Sequence, residues 1–455
     1  MKFVILWSDA LIFLLVFALI AFFINLRRDP QTRERWSQVF GSRLGMVTFV
    51  VIMTYVLVAL TDSIHFREAL APDPGGNGEQ VFYDNKVRSV LDFALGDMGT
   101  QHERTYSAPF ALNSFAKENL KDADGNDIRD FPRLVHAGIH LESVDQRSGD
   151  IAWNTVLGIL KGLLVAGLLI LPQWLLLRRS VFPWHMAWAT QAVIICMASL
   201  LVQLSAFYHV LGTDVAGTDV LYQSIKGIRT GVLLGTLATL VMLPIAVTLG
   251  VAAGYFKGWV DDVVQYLYTT LSSIPGILLI AASVLLFQVY IDLNPDYFEV
   301  GLEKADAKFV ALCFILGVTS WSTLCRLIRA ETLKISQLEY VQAAIAFGVG
   351  NTRIVFRHIL PNVVHIILIT FVLEFSALVL AEAVLSYIGV GIDPSMPSWG
   401  NMINGARDEL AREPTIWWTL VGAFFFMFML VLAANLFSDL VRDAFDPRTS
   451  LKEPL

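Results

Sequence analysis

The sequence predicts an all-α, polytopic membrane protein of about nine transmembrane helices. Hydrophobic residues make up 55% of 455 residues and mean hydropathy is +0.60. Several apolar runs approach the roughly 20 residues that a helix needs to cross a bilayer. Lipid offers the backbone no hydrogen-bond partners, so such runs fold as helices that satisfy their own N–H and C=O groups. The formal charge of −7 gives no support to nucleic-acid binding. Cys196, Cys313 and Cys325 lie in apolar runs without C-x-x-C spacing and read as small buried side chains.

Nine runs fit as spans: 3–26, 44–61, 154–177, 185–208, 231–256, 266–291, 309–328, 362–384 and 415–437. The first is too long for a signal peptide and lacks a small-residue cleavage site, so a retained helix is expected. Arginine and lysine then set direction. Loop 27–43 carries Arg27, Arg28, Arg33, Arg35 and Arg43. Arg178 and Arg179 follow the third run, and Arg326, Arg329, Lys334, Arg353 and Arg357 follow the seventh. These loops are expected in the cytoplasm, with the amino terminus outside and the carboxyl terminus inside. Trp184, Trp188, Trp417 and Trp418, near span ends, suit the headgroup layer.

Segment 62–152 holds sixteen Asp and Glu against nine Lys and Arg, with many aromatics and turn residues. An ordered extracytoplasmic cap is expected there. Its run DADGND, Asp122 to Asp127, resembles the start of a calcium loop, but the twelfth position is Arg133 where a bidentate glutamate is needed, so a polar turn is expected. His65, His102, His136 and His140 show no zinc spacing and no convergent catalytic set, which disfavours a membrane enzyme.

Four separated stretches carry a specific resemblance. HVLGTDVAGTDVLYQSIKGIR, His209 to Arg229, is similar to H-P-L-G-T-D-x-x-G-R-D-V-x-S-R, with Gly212, Asp214, Gly217 and Asp219 in register. EYVQAAIAFGVGNTRIVFRHILP runs from Glu339 to Pro361 between two spans. EAVLSYIGVGIDPSMPSWG, Glu382 to Gly400, and NLFSDLVRDAFDPR, Asn435 to Arg448, complete the set. Together they resemble the dipeptide, oligopeptide and nickel subfamily of ABC-transporter permeases, specifically its C-type subunit. The family's Arg in G-R-D is Thr218 here, and its Glu-Ala-Ala is Gln342, Ala343 and Ala344. The resemblance implies a six-helix type I importer core plus an amino-terminal helix and an inserted hairpin. The expected divisions are 1–37 for the extra helix, 38–152 for the family's first helix with the cap, 153–208 for the hairpin, 209–448 for the permease core and 449–455 for a cytoplasmic tail.

What the resemblance implies about function is an ATP-driven, binding-protein-dependent importer in the bacterial inner membrane, carrying peptides or peptide-like solutes by alternating access. Expected partners are a homologous B-type permease, one or two ABC ATPase subunits and an extracytoplasmic substrate-binding protein, within a lipid bilayer. No G-x-x-x-x-G-K-S/T loop occurs, so no cofactor is expected on this chain, ATP-Mg is expected on the ATPase subunits, and the chain is not expected to be an enzyme. Coupling to the ATPase falls to Glu339, Tyr340, Gln342, Ala343, Ala344, Gly348, Arg357 and Pro361. Tyr340, Ala344 and Phe347 or Gly348 share a helical face, the alanines keep the helix slim, and Gly348 and Gly350 suit termination. Pro361 suits the first turn of the next span. Pro244 and Pro275 read either as kinks repaired by neighbours or as hinges in the path. Glu374 and Glu382 are candidate pathway groups because ionisable side chains inside a membrane are costly. Glu382 suits bracing of the following loop, and Glu374 either a paired structural carboxylate or a group meeting a cationic amine. A stand-alone ion-coupled carrier or channel is the alternative; it should show repeat symmetry and paired mid-membrane charges.

Overall fold

The computed structural model describes residues 2–26, 30–69, 83–121, 127–141, 143–178, 180, 182–294 and 301–445. The calcium-like run from Asp122 to Asn126 and the tail 449–455 lie outside them. In chain order the elements are β1 (Lys2–Val4), α1 (Trp7–Leu26), α2 (Pro30–Gly41), α3 (Arg43–Asp62), β2 (His65–Ala69), β3 (Tyr83–Ser89), α4 (Val90–Leu95), β4 (Glu118–Lys121) and β5 (Asp127–Asp130). There follow α5 (Arg147–Leu177), α6 (Trp184–Ser205), α7 (Val220–Phe256), α8 (Trp259–Ser273), α9 (Gly276–Leu293), α10 (Leu302–Ile335), α11 (Glu339–Ala346), α12 (Asn351–Ile354), α13 (Leu360–Tyr387), α14 (Trp399–Leu410) and α15 (Trp418–Phe445). Among the described residues, eight helices are long and apolar enough to cross a membrane.

The chain divides into two compact units, one formed by residues 1–5, 40–231 and 397–430, the other by 6–39, 232–396 and 431–455. In the first unit, β1 pairs antiparallel with β2 and β2 with β3, and β4 with β5 forms a separate hairpin. These strands give regular structure to the described residues of segment 62–152. Lys226 on α7 reaches Asp62 at 2.6 Å and Asp92 at 2.9 Å, while Ser89 caps α4 through a capping box. These bonds satisfy the polar groups at the carboxyl-terminal end of α3. In the α5–α6 hairpin, Lys161 donates to Gln203 at 2.7 Å and Gln203 to Asn154 at 3.0 Å, so the one lysine of α5 is tied into an interhelical polar ladder.

In the second unit, α1 begins at Trp7, not Phe3. Residues 2–4 are strand, and Asp9 accepts the Leu6 N–H at 3.2 Å to start the helix. Ser8 donates from both its N–H and hydroxyl to the buried Asp306 on α10. The sixth expected span, 266–291, is corrected: it is broken into α8 and α9. Ile274 precedes Pro275 and takes an extended conformation, ψ 133°, because the proline ring excludes the helical region at the residue before it. Pro244 stays inside an unbroken α7. Its carbonyl accepts the Thr248 hydroxyl at 2.6 Å. Other expected spans are longer than read. α7 starts at Val220, where Asp219 accepts the Tyr222 N–H at 3.0 Å, and α10 runs to Ile335, with Arg329 paired to Asp261 on α8 at 2.5 and 2.7 Å.

Candidate coupling segment and the outer motifs

The candidate coupling segment is built in the second unit between α10 and α13. After Ile335 the chain turns at Ser336, whose carbonyl accepts the Gln342 amide at 2.6 Å. α11 then has eight residues, too few to be stable alone. It is fixed by Val341, fully buried in a cluster with Ile335, Ile354, Ile359 and Val363. Burying that side chain contributes about 1.5–3 kcal/mol, enough to hold so short an element against the body of the unit.

Termination explains the glycine. Gly348 has φ +72°, and the bonds Gly348 N–H to Ile345 O (2.9 Å) and Val349 N–H to Ala344 O (3.1 Å) form a Schellman turn. Gly350 begins α12, and a π turn over Val355–Ile359 leads into α13. Pro361 lies in the first turn of α13, where its missing N–H is tolerated, and Asn362 donates to the His358 carbonyl at 2.6 Å and to the Tyr340 hydroxyl at 3.1 Å. Tyr255 on α7 donates to Asn351 at 3.0 Å.

What this scaffold displays is apolar and exposed. Phe347 is 87% exposed, Tyr340 46% and Ile345 44%, beside exposed Glu339, Gln342, Ala343, Gly348 and Arg357. Ala344 is half-buried against the same cluster as Val341. The face read from sequence thus mixes a packing residue, Ala344, with the exposed Tyr340 and Phe347. Val341, the anchor, was missed, because one valine in an apolar octapeptide carries no distinguishing signal.

The motif around Gly212 is a folded loop in the first unit. Asp214 accepts the N–H groups of Ala216 (2.9 Å) and Thr218 (2.8 Å). Gly212 and Gly217 have φ +70° and +73°, and a Cβ on Gly217 would stand 1.8 Å from the Glu103 carbonyl oxygen. Asp219 meets His209 Nδ1 at 2.8 Å, and His209 Nε2 lies 3.5 Å from Glu103, which also accepts the N–H groups of Val135 and His136. Burial alone would lower the His209 pKa, but the bond to Asp219 and the nearby Asp219 and Glu103 carboxylates raise it to about 9. Burial would raise Glu103, but His209 and the two backbone donors hold it at about 2. The buried cluster is thus two carboxylates around one imidazolium, joining the loop to the cap.

Further along, Glu382 is 4% exposed and accepts the Ser386 hydroxyl at 2.7 Å, just before the Gly389 turn at the end of α13. Glu374 is half-buried and has no hydrogen-bond or ion-pair partner among the described residues. Ser398 caps α14, and Trp399, 1% exposed, donates to the Ser224 carbonyl at 2.9 Å. No group of three metal-ligating side chains occurs among the described residues.

Residues 246–451, which contain the candidate coupling segment, match the family described as binding-protein-dependent transport system inner membrane component. A glutathione transport system permease protein of Pectobacterium atrosepticum is 33% identical over 53% of this chain and 73% of its own length. An oligopeptide transport system permease protein of Haemophilus influenzae is 29% identical, covering 62% and 84% respectively. A peptidoglycan transport system permease protein of Agrobacterium fabrum is 35% identical, covering 53% and 58%. A membrane-spanning helical chain with this match, and with relatives aligned over most of their length, belongs to the family of inner-membrane permease components of binding-protein-dependent ABC importers.

Proposed function

We propose that the chain imports peptides or peptide-like solutes by alternating access beside a homologous B-type permease, and that α11 is the element through which one or two ATPase subunits drive it. The observation that carries this reading is the pairing of a fully buried anchor, Val341 on α11, with the exposed Phe347 at the cap that ends it. Charged side chains are exposed there too, at Glu339 and Arg357, but a large apolar ring held out at the end of an anchored helix suits a groove on a partner. ATP and Mg²⁺ bind and react on the ATPase subunits, since this sequence carries no phosphate-binding loop. The relatives named for glutathione and oligopeptide transport support a peptide-type cargo.

The arginine-rich loops favour a cytoplasmic α11 and an extracytoplasmic cap, on which a substrate-binding protein docks. Within the spans, Glu382 serves to brace the loop after α13. Glu374, lacking a partner among the described residues, suits contact with the cationic amine of a solute. Reconstitution of this permease with its B-type partner, ATPases and binding protein tests the reading. ATP-dependent peptide uptake is expected; uptake by this chain alone, driven by an ion gradient, would refute it.

A further inference from the structure

The cap holds a concave surface that force transmission does not use. A cleft of about 640 Å³ opens between the stretch Thr105–Lys117, β5 and the α14–α15 connection, all within the first unit. That volume lies in the range of about 300–1,000 Å³ typical of small-ligand sites. Lys117, Arg129 and Arg412 line it against one carboxylate, Glu413. None of the three cations makes an ion pair among the described residues, and all are exposed. Two are held by rings instead: the Arg412 guanidinium lies 5.1 Å from the Tyr106 centroid, and Lys117 Nζ lies 5.2 Å from that of Phe131. An aromatic face orients a cation without cancelling its charge, so both groups keep their donors for an anion in the cleft.

The rest of the lining is apolar and fixed. Tyr106 and Ile416 are buried at 5% and 1% exposure, and Phe115 packs edge-on against the buried Trp418 with centroids 5.1 Å apart. Guanidinium groups match planar oxyanions bidentately. Rings beside them give an adjoining apolar group somewhere to lie. We propose that this cleft binds the carboxylate of a peptide-like solute, Arg412 and Arg129 engaging the anion and Phe115 and Phe131 the neighbouring side chain. The cargo class rests on the function proposed above; the site itself rests on the cleft.

Calorimetric titration of the full chain in nanodiscs of zwitterionic lipid, without ATPase or binding protein, tests it. The probes are the tripeptide Ala-Phe-Ala as free acid, its carboxamide, and inorganic phosphate. The free acid is expected to bind, the carboxamide about tenfold or more weakly, and Arg412→Gln and Arg129→Gln each to weaken the acid about tenfold with unchanged thermal midpoints. The Arg129 site lies on an exposed hairpin strand, so its variant separates binding from folding. Absence of binding, equal affinity for acid and amide, unchanged affinity in both variants, or displacement by equimolar phosphate would overturn the proposal. So would variants that lose capture of the binding protein while holding the tripeptide normally. Failure of ATP-driven uptake with this binding intact would count against the importer cargo alone.

Discussion

Truncating Phe347 to alanine should uncouple the permease from its ATPase without harming its fold. The ring is 87% exposed, so its loss changes the stability of the chain by no more than about 0.5 kcal/mol. If the ring fills a partner's groove, truncation of such an anchor costs about 2–4 kcal/mol of binding. At about 1.4 kcal/mol per tenfold, that is roughly 30-fold to nearly 1,000-fold in the affinity for the ATPase. Val341→Ala makes the opposite case. It removes two carbons from a fully buried site, at about 0.8 kcal/mol each plus a cavity term, so about 2–3 kcal/mol of local stability is expected to be lost. The assay is paired: co-purification with the ATPase subunits at graded concentration, and thermal unfolding of the detergent-solubilised permease. Phe347→Ala should lose the first and keep the second. Normal ATPase capture by Phe347→Ala, or a large fall in its thermal midpoint, would refute the division of labour between exposed ring and buried anchor.

Gly348→Ala should cost about 1–2 kcal/mol in the Schellman turn from its φ of +72° alone, since open space surrounds the position, and should slow uptake while the complex still assembles; hydrogen exchange over 343–350 reads the loosening. The Glu103–His209–Asp219 cluster predicts an alkaline limit. The His209 pKa is raised to about 9, so its stabilisation is complete below the unfolded value near 6.5 and disappears as pH rises through 9. Thermal unfolding of wild type should therefore weaken over that window, and His209→Gln should lack the step. At the acid end, Glu103 is held at about 2, so its contribution persists above about 4.5 and fades only as pH falls toward 2. Glu374→Gln should reduce transport of peptides with a free amine more than of their N-acetylated forms; equal rates for both would remove Glu374 from the path.

The spans were legible because lipid imposes a length and a composition that few sequences meet by accident. Pro275 was legible as an interruption, but whether it would kink or break the helix depended on Ile274 adopting extended backbone. Phe3 and Val4 were read as the start of a span because both are apolar; only pairing with β2 makes them strand, and long-range pairing leaves no local mark. α14 was missed for a different reason: twelve residues with charges at Arg407, Asp408 and Glu409 resemble a loop unless Ser398 is recognised as its cap. Gly348 and Pro361 were readable from turn chemistry. Glu382 was singled out as a charge inside a span, whereas its bond to Ser386 needed the helix. The cluster of Glu103, His209 and Asp219 joins Glu103 to a pair more than a hundred positions away and could not be read from spacing.

A photo-crosslinking residue at Ala343, exposed on α11 and outside the buried cluster, tests the force-transmitting role most directly. In the assembled, transporting complex it should form an adduct with an ATPase subunit, with a yield that changes between nucleotide-free and ATP-bound states. An adduct with the extracytoplasmic binding protein, or none while ATP-driven uptake proceeds at its normal rate, would contradict it.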